Sequence, residues 1–179
     1  MGLVFDREDV RGQILKFFRG RIDTMLDDDG IRYDIIQGLN DIEGEDSLRV
    51  FEKAQSLQNF FVDGDRKSFL EAVTRVENIA SKNDPVEDAV NEEILTEEEK
   101  DLYDKVVALE PELDDAYRAR DDARYLELLN SLTDPIHQYF DRVMVMAEDE
   151  ALRKNRLGLI QRIDALVQRE FNGKQIVEG

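Results

Sequence analysis

Residues 149–169 read DEALRKNRLGLIQRIDALVQR, and this segment gives the clearest indication of the fold class. Its apolar side chains, among them Leu152, Leu159 and Ile163, recur at the steps of three and four residues that place side chains on one helix face. No stretch of the chain shows the strict alternation of apolar and polar residues that is typical of a strand. The stretch therefore predicts a helix from about Asp149 to Arg169.

The same spacing continues through the rest of the chain. Gly30 ends the first helix, because glycine readily adopts the left-handed conformation, and Pro85 ends the fourth, because proline disfavours helical geometry in the residue before it. Thr96 and Glu99 have the spacing of a capping box at the start of an acidic helix. The predicted helices cover about 7–26, 33–39, 48–61, 69–80, 96–111, 117–132, 135–143 and 149–169, of which the second is very short.

These patterns predict an all-α fold, an antiparallel helical bundle of about seven helices. The length of 179 residues suits one domain spanning 1–179, with an acidic helical segment at 84–115 within it. That segment holds 14 acidic residues and two lysines, a net charge of −12, whereas residues 11–21 hold four basic residues and no acidic one. The two ends of the chain are therefore mildly basic around an acidic middle.

Composition narrows the class of function. The net charge of −18 argues against a protein that grips nucleic acid by bulk electrostatics. The absence of cysteine excludes disulfides, thiolate zinc sites and a cysteine nucleophile, and it fits a reducing cytoplasm. No apolar run approaches the length of a membrane span. We expect a cytoplasmic protein with neither a membrane nor a DNA partner.

The usual catalytic and nucleotide-binding signatures are missing. The sequence has no glycine-rich phosphate loop, no paired-histidine metal helix and no nucleophile elbow. His137 is the only histidine, and a lone imidazole is more often structural than catalytic. The glutamates at 92–93 and 97–99 are better explained as a solvated face and a capping box than as a cation site. We expect no catalytic residue, no metal and no cofactor in this chain.

Two arginines fall within apolar stripes. On a helical wheel Arg156 lies among Leu152, Leu159 and Ile163, and Arg21 lies in the stripe of the first helix that contains Val10 and Ile14. A buried guanidinium must be paired. Each arginine is therefore either part of a buried ion pair or a planar donor aimed at a phosphate or a base edge, and for Arg156 the ion pair is the favoured interpretation.

Residues 139–157, YFDRVMVMAEDEALRKNRL, strongly resemble the end of the bacterial glycyl-tRNA synthetase beta subunit. That family shows a similar Phe-Phe-Asp-x-Val-Met-Val-Met-Ala-Glu-Asp stretch followed by Leu-Arg-x-Asn-Arg-Leu. Further similarities occur at 17–22, 30–36 and 75–79, in the same order along the chain. The acidic middle and the tail at 171–179 depart from the family pattern.

The resemblance implies a helical anticodon-binding domain of the DALR type, shared with arginyl-tRNA synthetases. The complete enzyme of that family joins glycine to its tRNA with ATP and Mg²⁺, as a heterotetramer of two alpha and two beta chains. Because the family's beta subunit is several times longer, this chain is expected to be a C-terminal fragment of one. The fragment alone is then expected to lack aminoacylation activity and to have glycine tRNA and the alpha subunit as its partners.

Two alternatives remain open. One is the related domain of an arginyl-tRNA synthetase, which the Met-Ala-Glu-Asp and Lys-Asn-Arg-Leu segments fit less well. The other is a non-enzymatic helical protein–protein adaptor whose acidic face binds a basic partner. Binding to glycine tRNA and to a tRNA with a swapped anticodon separates all three.

Glycine anticodons carry two cytosines after the wobble base, and unpaired bases are usually read by stacking and by hydrogen bonds to their edges. We expect the two basic ends of the chain to meet and to form the reading surface. The expected tRNA-binding residues are Arg19, Arg21, Arg75, Asn78, Arg142, Met144, Arg153, Asn155 and Arg156. Arg142 and Arg153 are assigned to phosphates or base edges, Asn155 to a base edge and Met144 to an apolar platform.

Overall fold

The computed structural model describes residues 7–40 and 47–177, with side chains described from 17 to 39 and from 48 to 177. This part of the chain contains α-helices and two short 3₁₀ helices, and no strand. The all-α prediction is therefore confirmed, with eight α-helices where about seven were expected. They are α1 Arg7–Asp28, α2 Tyr33–Asn40, α3 Ser47–Val62, α4 Lys67–Ala80, α5 Glu97–Arg118, α6 Asp122–Asn130, α7 Thr133–Arg142 and α8 Glu150–Gln168, and the 3₁₀ helices are Glu92–Ile94 and Gly173–Gln175.

The bundle is organised around α4 and α8, which pack against each other along their apolar faces. Helix α3 packs against α6, and α5 packs against both α6 and α7, so that the acidic helix forms one wall of the core. An aromatic cluster of Phe60, Phe61, Phe69 and Phe171 joins α3, α4 and the chain after α8, with ring centroids 5.3–6.4 Å apart. Ile160 and Ile163 of α8 are fully buried in the core.

The helix boundaries correct two predictions in the acidic region. Helix α5 does not end at Pro111 but continues to Arg118, because Leu113 and Ala116 beyond the proline are buried and hold the helix against its neighbours. The predicted single helix over 117–132 is broken at Arg120, which has a φ of 55°. The amides of Arg120 and Asp121 bond to the carbonyls of Tyr117 and Ala116, which is a Schellman motif.

The start of α7 also differs from the prediction. The helix begins at Thr133 and not at 135, its N-cap position is Leu132, and Asp134 lies in the first turn, where a carboxylate suits the helix dipole. His137 places its Nε2 atom 3.0 Å from the carbonyl oxygen of Ser68 and 3.1 Å from the Ser68 hydroxyl. The only histidine therefore ties α7 to α4, in agreement with its structural interpretation.

The apolar stripe of α1 faces solvent where the structure describes its side chains, contrary to the core position predicted for it. Phe17 is 63% exposed and Phe18 is 55% exposed, whereas Ile22 of the same stripe and Leu26 beside it are buried. Arg21 is exposed as well, so the prediction that it is buried was wrong. The wheel identified the apolar face correctly, but it could not show that α2 and α3 pack against the neighbouring face. The side chains of Val10 and Ile14 lie outside the described part.

Four charged side chains form a buried cluster between α3, α6 and the end of α8. Arg49 donates two hydrogen bonds to the carboxylate of Asp122, one of them 2.8 Å long. Arg49 and Lys53 lie 3.8 and 3.9 Å from Glu170, and all four residues are almost completely buried. Two positive and two negative charges balance, as a buried ionic cluster requires. We call these four residues the buried ionic cluster.

The chain beyond α8 folds back onto α2 and α4. The amide of Asn172 donates to the carbonyl of Gly38 over 2.9 Å, and the amide of Gly173 donates to Oε1 of Glu77 over 2.7 Å. A β-carbon at Gly173 would lie only 2.7 Å from Cγ1 of Val73, so this close approach requires a glycine. Glu77 is thus a buried acceptor for the C-terminal segment, although its other oxygen, Oε2, has no hydrogen-bond partner among the described residues.

Burial raises the pKa of Glu77 from 4.5 to about 7, and the nearby Asp164 carboxylate adds to the rise while the Gly173 amide and Lys174 oppose it. A carboxyl group whose pKa is raised on folding stabilises the fold below its unfolded pKa and loses that contribution as the pH rises through its folded pKa. We therefore expect the unfolding free energy to fall by about 3 kcal/mol between pH 4.5 and pH 7.5 through Glu77. Urea denaturation of the parent and of Glu77→Gln across this range measures the difference. Parallel pH profiles for the two proteins would show that Glu77 is not the cause.

Candidate nucleic-acid interface

The connection between α7 and α8, residues 143–149, presents two methionines to solvent, and we call it the methionine loop. Val143 and Val145 are buried, whereas Met144 is 75% exposed and Met146 is 53% exposed. Val143 is extended, with φ −114° and ψ 123°, and the amide of Ala147 bonds back to the carbonyl of Val145. Alternating burial anchors the loop by its valines and leaves an apolar, polarisable surface outside.

Arg156 joins this loop to the start of α5 by hydrogen bonds. Its Nη1 atom donates to the carbonyl of Met144 over 2.9 Å, and its Nε atom donates to the carboxylate of Glu99 at the start of α5. The side chain of Arg156 is 13% exposed and that of Glu99 is 2% exposed. The buried ion pair that the sequence favoured for Arg156 is confirmed. Two of the guanidinium nitrogens, Nε and Nη1, are therefore engaged within the protein.

Glu99 uses its second oxygen for the capping box. Its Oε2 accepts from the amide of Thr96 over 2.6 Å, and the hydroxyl of Thr96 accepts from the amide of Glu99. The predicted capping box is therefore confirmed, and the same carboxylate also binds Arg156. Tyr139 lies nearby with a buried hydroxyl, and burial together with the charge of Glu99 raises its pKa far above the ordinary value.

Arg153 and Asn155, both predicted to contact tRNA, bond to backbone atoms in the structure. Nη1 of Arg153 donates to the carbonyl of Ala147 over 2.9 Å, so this half-buried side chain braces the end of the methionine loop. Asn155 accepts from the amide of Asn91 over 2.7 Å and donates to its carbonyl over 3.1 Å. Because Asn155 is buried with both polar groups engaged, it holds the segment before α5 against α8 in this structure, and its contact with a base edge stays a prediction.

Two further arginines lie exposed near the methionine loop. Arg142, at the end of α7, lies in a crevice with Glu98 and Asp101 of α5. Arg75 of α4 stacks on Phe140 of α7, with the guanidinium carbon 4.2 Å from the ring centroid. The aromatic face orients Arg75 while its donors remain open to solvent.

The tRNA-binding residues predicted from the two ends of the chain do not all lie together in the described structure. Asn78 lines a groove between α4 and the C-terminal segment together with Arg75 and Lys174. Arg19 and Arg21 belong to α1, which packs mainly on α2 and α3, whereas the methionine loop lies at the junction of α7 and α8 with α5. Arg19 pairs with Asp23 on its own helix at 3.4 Å. The predicted tRNA-binding residues thus fall into separate groups, and tRNA contact by any of them stays a prediction.

Sequence reasoning left two residues of this site unassigned to it. Met146 was not among the expected tRNA-binding residues, and Glu99 was interpreted only as part of a capping box. The alternation Val-Met-Val-Met carried the signal for Met146, because it has the period of an extended segment with one buried side. No local pattern could pair Glu99 with Arg156, which lies 57 residues further along the chain.

The described residues show no cluster of three or more His, Asp or Glu side chains that could hold a metal ion. In the described part of the chain no helix has both the length and the apolar character to cross a bilayer. Residues 142–154 contain three basic and three acidic side chains, so the sequence around the methionine loop carries no net charge.

Comparison with known proteins gives the family. The model of the DALR anticodon binding domain matches residues 69–172, which include the methionine loop. The glycine–tRNA ligase beta subunit of Halothermothrix orenii is 30% identical over 167 residues, 89% of this chain and 24% of that protein. The beta subunit of Halalkalibacterium halodurans is 31% identical over 176 residues, 98% of this chain and 25% of that protein. The chain spans about a quarter of the length of these relatives. It belongs to the DALR anticodon binding domain family.

Proposed function

We propose that this chain is the anticodon-binding part of a glycine–tRNA ligase beta subunit. The observation that supports this most directly is the similarity to such subunits over 89% and 98% of the chain, together with the family match over 69–172. The match covers α4 to α8, and with them every side chain that shapes the methionine loop. The proposal favours a glycine enzyme over an arginine enzyme because the full-length relatives named above are glycine ligases.

In this proposal the chain binds and the rest of the enzyme performs the chemistry. The complete enzyme attaches glycine to its tRNA with ATP and Mg²⁺ in the cytoplasm, and an alpha subunit joins the beta subunit in an alpha2beta2 assembly. This chain contributes discrimination among tRNAs, because a correctly held anticodon places the remote acceptor end in the active site. We assign it no catalytic residue and no cofactor of its own.

The methionine loop offers what unpaired bases require. A flat base buries apolar area against a thioether, and Met144 and Met146 present two thioethers on the same loop. Arg142 adds a fork of donors beside them, and these suit a phosphate or the acceptor atoms of a cytosine edge. The orienting stack on Phe140 gives Arg75 a comparable role on the neighbouring helix.

We expect this chain to bind glycine tRNA about tenfold or more tightly than the same tRNA with its two anticodon cytosines replaced. Fluorescence anisotropy with the two labelled tRNAs at fixed salt measures this ratio. Equal affinities would contradict anticodon reading, and tighter binding to arginine tRNA would support the alternative enzyme. No binding even at low salt would leave the protein–protein adaptor as the better account.

The matched variants for this experiment are Arg142→Ala and Arg118→Ala. Arg142 is the exposed arginine beside the loop, whereas the exposed Arg118 ends α5 and pairs with Asp114 and Asp115 of its own helix. Arg142→Ala should weaken tRNA binding by about 1–3 kcal/mol and Arg118→Ala should leave it unchanged. Arg153→Ala is less informative than the sequence suggested, because it also removes a brace of the loop.

A further inference from the structure

A relay of hydrogen bonds connects the first turn of the acidic helix α5 to the exposed methionine loop. The amide of Thr96 donates to Glu99, Glu99 accepts from Arg156, and Arg156 donates to the carbonyl of Met144. Glu99 itself is buried, and within the described residues no hydrogen bond or ion pair joins it directly to the loop. Its hydrogen-bonded connection to the loop runs through the guanidinium of Arg156.

We propose that Glu99 is a positioning residue for tRNA recognition, acting through Arg156 to fix the backbone of Met144. This inference rests on the proposed function, since it names a residue that prepares the same surface. It also gives a role to one residue of the acidic middle of the chain, because the buried carboxylate of Glu99 orients the guanidinium of Arg156 toward the methionine loop.

The geometry of the guanidinium makes the relay directional. Nε donates to Glu99 and Nη1 donates to the carbonyl of Met144. Glu99 therefore fixes the orientation of the planar guanidinium, and in that orientation Nη1 bonds to the loop. A buried charge-assisted hydrogen bond is stronger than a neutral one and holds its partner in a narrower range of angles. Without the carboxylate, Arg156 would lose the partner that keeps Nη1 beneath the loop.

A rigid platform matters here because methionine is flexible. Three rotatable bonds make its side chain adaptable, and any freedom of the backbone adds to the entropy that binding must remove. Fixing the carbonyl of Met144 reduces that cost before the RNA arrives. Glu99 should therefore influence tRNA affinity although it is buried beneath the surface that the RNA would contact.

A second ion pair between the same two helices supplies the control. Arg162 of α8 donates to Glu110 of α5 through Nε and Nη2 at 2.5 and 2.6 Å, and within the described residues no hydrogen bond or ion pair joins either of them to the methionine loop. Glu110→Gln therefore removes the same kind of charge from the same pair of helices. Any effect of Glu99→Gln that Glu110→Gln lacks is specific to the relay.

The first readout needs no RNA. The chain has four methionines, so methyl NMR with labelled methionine resolves the side chains of Met144 and Met146 beside Met25 of α1, which serves as an internal reference. We expect Glu99→Gln to shift and sharpen the signals of Met144 and Met146 and to leave Met25 unchanged. Glu110→Gln should move none of the three. Unchanged loop signals in Glu99→Gln would overturn the relay.

The second readout is the dissociation constant for glycine tRNA. Glu99→Gln should raise it by about tenfold and Glu110→Gln by less than about twofold, in protein shown to be folded by circular dichroism. In a Met144→Ala background the effect of Glu99→Gln should largely disappear, because the platform that it positions is gone. An undiminished effect in that background, or no effect in the parent, would overturn the proposal.

Arg156→Lys provides a variant that keeps the charge for Glu99 but lacks the planar fork. It should disturb Met144 in the same way as Glu99→Gln, which keeps the test decisive if Glu99→Gln fails to fold. If the parent does not discriminate between anticodons, the proposed function fails, and the methyl spectra still decide whether the relay holds the loop. If the parent discriminates and the loop variants bind equally well, the positioning role alone is wrong.

Discussion

Replacing Asp122 with alanine should lower the free energy of unfolding by about 3–5 kcal/mol, because it leaves a buried guanidinium without its main partner. The side chains of Arg49 and Asp122 are only 4% and 2% exposed, and Asp122 accepts both hydrogen bonds of the fork. Glu170 is the other buried carboxylate of the cluster and lies 3.8 Å from Arg49. Urea denaturation followed by circular dichroism measures the loss.

The adjacent residue is the matched control. Asp121 is exposed and caps α6 by accepting from the amide of Arg124 over 3.1 Å. Asp121→Ala should cost about 1 kcal/mol, the usual value of an N-cap. The two substitutions remove the same group at neighbouring positions, so the difference between them isolates burial and pairing. A cost for Asp122→Ala no greater than that of Asp121→Ala would contradict the account of the buried ionic cluster.

An aromatic ring lies beside the buried ionic cluster. Arg49, Lys53 and Arg169 lie 5.8, 5.3 and 5.4 Å from the centroid of the Tyr117 ring. The charge of Arg169 is paired with Asp114 at 2.6 Å, and those of Arg49 and Lys53 are balanced by Asp122 and Glu170. Removing Asp122 therefore leaves two buried cations beside the ring with one carboxylate, and for this reason we place the cost of Asp122→Ala above that of an exposed ion pair.

Two helix ends show how far sequence reasoning reached. Gly30 and Arg120 occupy the same position in the same Schellman motif, with φ of 79° and 55°. Gly30 indicated the end of α1 in the sequence, because glycine adopts positive φ without steric cost. Arginine gives no such signal, so the second end was missed and two helices were joined into one. A helix end can be predicted from the local sequence only where the residue type is one that favours the positive φ of that position.

The exposed stripe of α1 and the buried ionic cluster show a second limit of prediction from the sequence. Helical spacing located an apolar face on α1, but which face meets α2 and α3 depends on packing that no local pattern specifies. The pairing of Arg49 with Asp122 spans 73 residues, and nothing in either segment distinguishes these charges from those in solvent. Arg156 was detected because its position within an apolar stripe demands a partner, whatever that partner is.

Replacing Arg156 with alanine is the second large effect that we expect, a loss of about 3–5 kcal/mol of unfolding free energy. The substitution leaves the carboxylate of Glu99 buried with only the amide of Thr96 as a described donor, and it removes the donor to the carbonyl of Met144. Both consequences act in the folded state, because the unfolded chain hydrates all of these groups. Chemical denaturation of the variant and the parent at pH 7 measures the difference.

Arg162→Ala is the control on the same helix. Its pair with Glu110 has better bidentate geometry, but the two side chains are 34% and 26% exposed, so water replaces much of what is lost. We expect a cost of about 1 kcal/mol or less. The order of the two losses of unfolding free energy is the decisive result. Hydrogen-bond geometry alone would make the loss larger for Arg162→Ala, whereas burial makes it larger for Arg156→Ala. Equal losses would show that Glu99 is better solvated than its position indicates, and the relay to the methionine loop would then lose its physical basis.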